Sequence, residues 1–312
     1  MQSIFVVMKT RILLGCAVLV TLSSAPSGAQ SFLDKAAGVV RVMTWNIGAN
    51  SIFPTTPAGD TSSAGRPAQF RRVVNAIQPD VLCLQEASRG GDASAALMDA
   101  ILPLPDGRHW QAHSILDNVV VSRLDLSQKG GDTVTLNQRR RGHAAALVDL
   151  PSTFTGDAYF VCAHFESQAG ADRIRLRTLQ ANAIAERIHS AKASSGAIVL
   201  GDMNVVDDVA PYIDVLLKAG LTDAKPRHNG SGVESYTYRD DAGPYAPRAL
   251  DRIFYSSDNL RIVTSFILNT TMMSYDQLQR VNMRLIDVLR HAATGTHDHL
   301  PVVADFAPKP GR

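Results

Sequence analysis

At 312 residues, with 45% apolar and 19% charged residues, the sequence has the length and apolar content for a sizeable core, which excludes a disordered or low-complexity chain. Its 31 basic and 29 acidic residues nearly balance, so binding to nucleic acid or to anionic membranes driven by bulk net charge is excluded, while a local basic patch stays compatible.

The N-terminus departs from this average. Lys9 and Arg11 precede an apolar run over residues 12–22, and small residues follow through Ala29, the order of a secretory signal with cleavage expected between Ala29 and Gln30. The run is too short for a membrane span, so no transmembrane segment is expected in the mature chain. Met8 is an alternative start, and lipidation at Cys16 is a minor reading because that residue lies inside the apolar run. Removing residues 1–29 takes away two basic residues and no acid, leaving 29 of each sign. Residues 30–312 are then expected to form one domain, secreted or periplasmic, with a monomer as the default state.

From residue 39 onward, short β-branched runs end in polar or acidic residues, a pattern that predicts strands delivering functional groups at their ends. Residues 39–45 lead to Asn46, 81–85 to Glu86, 159–163 to His164 and 197–200 to Asp202; residues 250–255 carry Asp251, and 301–306 follow His299. Residues 118–122 and 144–150 read as plain strands. Helical periodicity predicts helices over 68–77, 173–188, 209–219 and 275–291, the last opening on Ser274 and Gln277 in capping-box spacing. Glycine- and serine-rich loops occupy 51–65 and 227–232. Irregular alternation of strands and helices favours stacked mixed sheets with outer helices over a doubly wound parallel sheet. Cys83 and Cys162 lie inside apolar strands, so buried free thiols are the preferred reading, with a bridge open if their strands are neighbours.

Several of these residues suit phosphoric-ester hydrolysis, which needs charge neutralisation at the phosphoryl oxygens, an activated water and a stabilised leaving oxygen. Glu86 is a hard oxygen ligand for Mg²⁺, with Mn²⁺ or Ca²⁺ as alternatives. The two-residue spacing of Asp202 and Asn204 places carboxylate and amide on one side if extended geometry persists, although Gly-Asp-x-Asn alone is more often an Asx turn. Asp298 and His299 stand at the start of a strand, and Asp251 is the best partner to orient His299, with pairing to Arg252 as its bland alternative. His164 alone is more often a satisfied core or loop histidine. The run Arg139-Arg140-Arg141 suits a substrate phosphate or a solvated hairpin, and Arg173, Arg175 and Arg177 spread around a helix and make a weak patch.

In order along the chain, Thr44-Trp45-Asn46, Leu84-Gln85-Glu86, Ala163-His164-Phe165, Gly201-Asp202-Met203-Asn204, Leu250-Asp251-Arg252-Ile253 and Asp298-His299-Leu300-Pro301-Val302 resemble the endonuclease/exonuclease/phosphatase superfamily. The resemblance implies an α+β, DNase I-like four-layer α/β/β/α sandwich with two mixed β-sheets and a metal-dependent active site at one end. It implies Glu86, Asn46 and Asp298 as metal ligands and His164, Asp202, Asn204, Asp251 and His299 as catalytic groups, with Arg141 near a phosphate-contacting position. His164 stands where abasic-site endonucleases of the superfamily have a tyrosine, and His297 stands where a serine is usual. The substrate expected first is nucleic acid, cleaved as a phosphodiester. Phospholipid with an apolar lip near Met272 and Met273, and a sugar or inositol phosphomonoester, are the alternatives, and a non-catalytic secreted binding module or a toxin-like subunit needing partners is the reading outside enzymology.

Overall fold

The computed structural model describes residues 32–54, 65–230, 232–240, 246–289 and 298–310. The proposed signal segment, the expected cleavage point, Cys16 and His297 lie outside the described residues.

Fourteen strands are present among the described residues. They are β1 (Val40–Asn46), β2 (Val81–Gln85), β3 (Gln111–Ile115), β4 (Asn118–Ser122), β5 (Leu126–Leu136), β6 (Arg139–Val148), β7 (Ala158–His164), β8 (Ala197–Asp202), β9 (Thr222–Asp223), β10 (Tyr238–Arg239), β11 (Asp251–Tyr255), β12 (Leu260–Ile267), β13 (Asp298–His299) and β14 (Val302–Pro308). The helices are α1 (Arg66–Ile77), α2 (Gly90–Ile101), α3 (Ala171–Ser190), α4 (Pro211–Lys218) and α5 (Tyr275–Arg280).

Two six-stranded sheets form, ordered β12-β14-β1-β2-β4-β3 and β5-β6-β7-β8-β11-β9, with β10-β13 as a separate pair. Each large sheet is mixed in the same way. One central parallel pair, β1 with β2 or β7 with β8, is flanked by antiparallel strands. A parallel pair needs a crossover, supplied by α1 in the first sheet and α3 in the second. Both crossovers bring the chain back to the same edge, so the carboxyl ends of each parallel pair emerge side by side.

The central strands are buried on both faces and therefore read as continuous apolar runs. In β7, Ala158, Phe160 and Cys162 enter the inter-sheet core, whereas Tyr159, Val161 and Ala163 enter a second cluster with Ala181 and Ile184 of α3 and Tyr212 and Leu216 of α4. Residues Phe70, Val73, Val74 and Ile77 of α1 cover the first sheet. The stacked sheets with helices on their outer faces are the α+β sandwich that the motifs imply. A buried bidentate pair between Arg41 and Asp305, both at 2.7 Å, locks β1 to β14 where these residues face each other in the ladder.

Two expectations are corrected. Cys83 and Cys162 form a disulfide with Cα atoms 5.2 Å apart, not free thiols, because both side chains point from central strands of opposite sheets into the same core. The helix expected over 275–291 stops at Arg280. Its capping box forms as the spacing predicts, but Asn282 turns left-handed (φ 54°) and the Met283 N–H returns to the Leu278 carbonyl. Beyond it the buried Asp287 carboxylate accepts the Arg284 N–H and grips Arg72 of α1 with both oxygens. A tertiary ion pair outweighs local periodicity there, and Met273, Leu278, Met283 and Val288 turn inward, while Tyr275 and Leu285 of the same segment stay exposed.

Several elements escaped the sequence reading. Strand β5 contains a Gly-Gly pair, α2 opens on another, β3 and β12 mix polar and apolar residues without a regular period, and β9, β10 and β13 are only two residues long.

Removing the disulfide by Cys83→Ala with Cys162→Ala opens a loop with a sequence separation of 79 and should cost about 2–5 kcal/mol, measured by urea unfolding. Equal midpoints for the two proteins would mean the bridge contributes nothing. A second dependence follows from His143, buried with Asp132 at 3.6 Å and the Arg187 charge nearby; loss of hydration, which outweighs Asp132, lowers its pKa to about 4. The unfolded chain then binds the proton more readily, so stability present above pH 6.5 should fall as pH drops toward 4, by about 3 kcal/mol from this group. His143→Asn should flatten that stretch of the stability profile, and an unchanged slope would refute the assignment.

Candidate active site

Asn46, Glu86, His164 and Asp202 meet because β1, β2, β7 and β8 end together. Asp251 joins them by facing Asp202 across the antiparallel β8–β11 ladder, and His299 arrives on β13. Asn46, Glu86, His164, Asp202, Asn204 and His299 line a single cleft of about 550 Å³. Glycine is required at Gly201, since a Cβ there would lie 1.8 Å from the Ala163 carbonyl oxygen; its absence lets β8 run against β7 and aligns Asp202 with His164.

Asp202 is the meeting point. It is 1% exposed. Its Oδ2 accepts from Asn46 Nδ2 at 3.2 Å and lies 3.6 Å from His164 Nε2 and 3.8 Å from His299 Nε2, while Oδ1 accepts the Asn204 N–H at 2.9 Å. The chain does not stay extended beyond Asp202. Asn204 is left-handed (φ 46°), an Asx turn closes on Asp202, and the Asn204 amide donates to the Phe165 carbonyl. Asn204 thus lines the cleft from a turn, not from the strand face that its spacing suggested.

Each imidazole has its own carboxylate. His299 Nδ1 lies 2.8 Å from Asp251 Oδ2, and Tyr238 packs edge-on against its ring, with centroids 5.4 Å apart. Asp251 therefore pairs with His299, and Arg252 pairs instead with Asp223. Burial opposes charge on His299, but Asp251 and Asp202 outweigh it and push the pKa up to about 10; burial itself raises Asp251. Thr237 Oγ1 accepts the Leu250 and Asp251 N–H groups, and Trp45 Nε1 donates to the His299 carbonyl, so both members of the dyad are held from behind.

His164 Nδ1 lies 2.9 Å from Asp117 Oδ2. Burial would lower the His164 pKa, yet the hydrogen bond to Asp117 and the charge of Asp202 raise it; Asp117 is lowered in turn, because its contact with His164 outweighs burial. Asp117 was missed by the sequence reading. It sits in the tight turn between β3 and β4, where aspartate is an ordinary turn residue, and nothing local marks it as a partner of a residue 47 positions away.

Glu86, which lines the cleft, and Asp298 both stand by the loop after β1. Glu86 Oε2 accepts the Ala49 N–H at 2.7 Å and Oε1 accepts Asn46 Nδ2 at 3.1 Å, while a Cβ on Gly48 would lie 3.7 Å from Asp298 Oδ2. Both carboxylates thus border the same loop after β1, and an all-oxygen set of this kind fits a hard divalent cation. Asn46 stands between Glu86 and Asp202 with its amide nitrogen toward both and its oxygen toward the Gly48 N–H. Asp202, Asp251 and His299 also offer ligand atoms within 4.8 Å of one another. His299 Nδ1 is already engaged by Asp251, however, which suits an acid–base group better than a closed cage. Glu86, Asn204 and Asp298 all carry positive φ, and such backbone costs about 1–3 kcal/mol each and clusters at functional sites.

Arg141 lies beside the cleft without lining it. Its Nε is 2.9 Å from the buried carboxylate of Glu166.

The model of the Endonuclease/Exonuclease/phosphatase family matches residues 43–274. An endonuclease/exonuclease/phosphatase from Beutenbergia cavernae is 21% identical, with 86% of this chain aligned to 72% of that one at a TM-score of 0.54. D. rerio TDP2 complexed with single-strand DNA product is 17% identical, covering 86% and 98% of the two chains at 0.54. The mannosyl-6-phosphatase Bt3783 of Bacteroides thetaiotaomicron is 15% identical, covering 86% and 99% at 0.57. At these identities the likeness speaks for the fold. No curated protein matches the sequence.

Replacing Asp117 by Asn should lower the His164 titration midpoint, because the carboxylate that favours the imidazolium is gone; imidazole NMR resonances followed against pH report it. A midpoint that stays in place would mean the Asp117 contact carries no charge coupling.

Proposed function

Because the chain belongs to the endonuclease/exonuclease/phosphatase family, whose members are phosphoester hydrolases, we propose that it is an exported phosphodiesterase acting on nucleic acid. The observation that carries the reading is the pair of carboxylate-oriented imidazoles, His299 with Asp251 and His164 with Asp117, facing one buried carboxylate, Asp202.

Cleaving a diester requires one group to take a proton from the attacking water and another to protonate the departing oxygen. Two imidazoles on either side of Asp202 can divide those tasks. Their Nε2 atoms stand too far from Asp202 for direct hydrogen bonds, close enough for a shared water or phosphoryl oxygen between them. Asp202 orients the water, Asn204 shapes the wall beside it, and Arg141 adds positive charge toward the substrate. Glu86 and Asp298, with Asn46, would hold a divalent cation, for which Mg²⁺ is the first choice; bound there, it would supply charge neutralisation at the phosphoryl oxygens.

Export is supported by the charge, apolar run and small residues before Gln30, and by the Cys83–Cys162 disulfide, a bond that persists in oxidising compartments. Nucleic acid is supported by the fold shared with TDP2 bound to a single-strand DNA product and by the basic flank of the cleft.

The protein should nick supercoiled plasmid in Mg²⁺ and lose this activity in EDTA. His299→Ala should reduce the rate about 10²–10⁴-fold, the range of a general acid–base group. Plasmid left intact by the wild-type protein under all three cations, Mg²⁺, Mn²⁺ and Ca²⁺, would overturn the nuclease reading.

A further inference from the structure

Two residues beyond His164, the loop after β7 buries Glu166 completely. An unpaired carboxylate there would cost several kcal/mol, and its partners come from two separate elements. Arg139 and Arg141 of β6 approach it with Nε atoms at 3.7 and 2.9 Å, and Arg173 of α3 forms a close ion pair with it. Three guanidinium groups thus share one carboxylate, leaving two positive charges in excess.

The cluster adjoins the cleft. Ser167, Gln168 and Ala169 line the cleft wall directly after Glu166, and Arg173 also donates to Gln168 Oε1 at 2.8 Å. On its other side the Arg141 charge helps lower Asp117, the partner of His164. The arginines are accessible despite their shared anchor, with Arg139 44%, Arg141 35% and Arg173 18% exposed. Acids and bases are equal in number once residues 1–29 are removed, so this excess is local and not part of a general field. Arginine held rigid by a buried acid keeps its remaining N–H donors aimed outward, the geometry suited to phosphate oxygens.

We propose that Glu166 gathers Arg139, Arg141 and Arg173 into a phosphate-binding shelf that holds the backbone of a nucleic-acid strand beyond the phosphate being cleaved. The inference rests on the nucleic-acid reading above and adds the part of the surface that distinguishes a polymer from a small ester. A strand whose scissile phosphate lies at Asp202 passes the loop after β7 with its neighbouring phosphate facing the shelf. Contacts of this kind carry no base information and release counterions on binding.

The test is equilibrium binding of a fluorescein-labelled twelve-nucleotide single strand to the His299→Ala protein, followed by anisotropy across NaCl concentrations. It does not depend on turnover, so plasmid nicking and strand binding can fail separately. Adding Arg139→Ala and Arg173→Ala should weaken binding on the order of tenfold and reduce the salt slope by about 0.7 per arginine. Arg139→Lys with Arg173→Lys should keep the slope, since the charges remain. An unchanged slope in the alanine protein would overturn the shelf. Equal losses in the alanine and lysine proteins would also overturn it, because packing around Glu166 and not charge would then be at work. So would an arginine dependence seen only with phosphatidylglycerol vesicles and not with the oligonucleotide.

Discussion

Burying Asp202 is the constraint on which the site depends. A carboxylate taken from water must be given polar partners, and none of those found here is next to it in the chain except the turn at Asn204. The others arrive from Asn46 at the end of β1, His164 at the end of β7 and His299 on β13. Bringing these ends together requires the two sheets to stack with their parallel pairs aligned. The inter-sheet core, with Cys83 and Cys162 joined across it, supplies that alignment from apolar burial and one covalent bond.

The two halves solve the same problem by the same device. Each uses a strand, an outer helix and a parallel strand, and each delivers two functional residues where the parallel strands end: Asn46 and Glu86 from one, His164 and Asp202 from the other. A crossover helix can close over a sheet only when its apolar stripe is covered, which ties the cleft end of each pair to the packing of α1 or α3 away from it. Left-handed backbone stands at this end too, at Glu86 and Asn204 just after β2 and β8 and at Asp298 opening β13. The rigid strands below hold these positions in place.

Charge is arranged in layers around this end of the molecule. Around Asp202 stand acids and imidazoles in pairs, Asp251 with His299 and Asp117 with His164, each pair raising the proton affinity of its imidazole. On the flank, Glu166 inverts the pattern by holding several cations around one anion. Members of this family hydrolyse phosphoester bonds, and on the proposed reading such layering would separate proton transfer at the reacting phosphate from attraction of the remainder of the substrate.

The strand ends were legible in the sequence because alternation and apolar runs are local properties, readable within five to ten residues. Asn46, Glu86, His164, Asp202, Asp251 and His299 each close or open such a run, and the structure brings all six to one end of the sandwich. The sandwich itself was legible for the same reason, together with the order of the motifs. Partners were not. Asp117 looks like a turn residue, Glu166 like a loop acid and Asp287 like one more polar position on a long amphipathic helix, until His164, the arginines of β6 and α3, and Arg72 are placed beside them. The thiols of Cys83 and Cys162 likewise became a disulfide only through the stacking of β2 on β7. The sequence by itself determined which residues stand at strand ends, since that follows from backbone geometry over a few positions. Tertiary structure alone decided which charges meet, because burying a charge demands a partner and chain separation does not limit where that partner comes from.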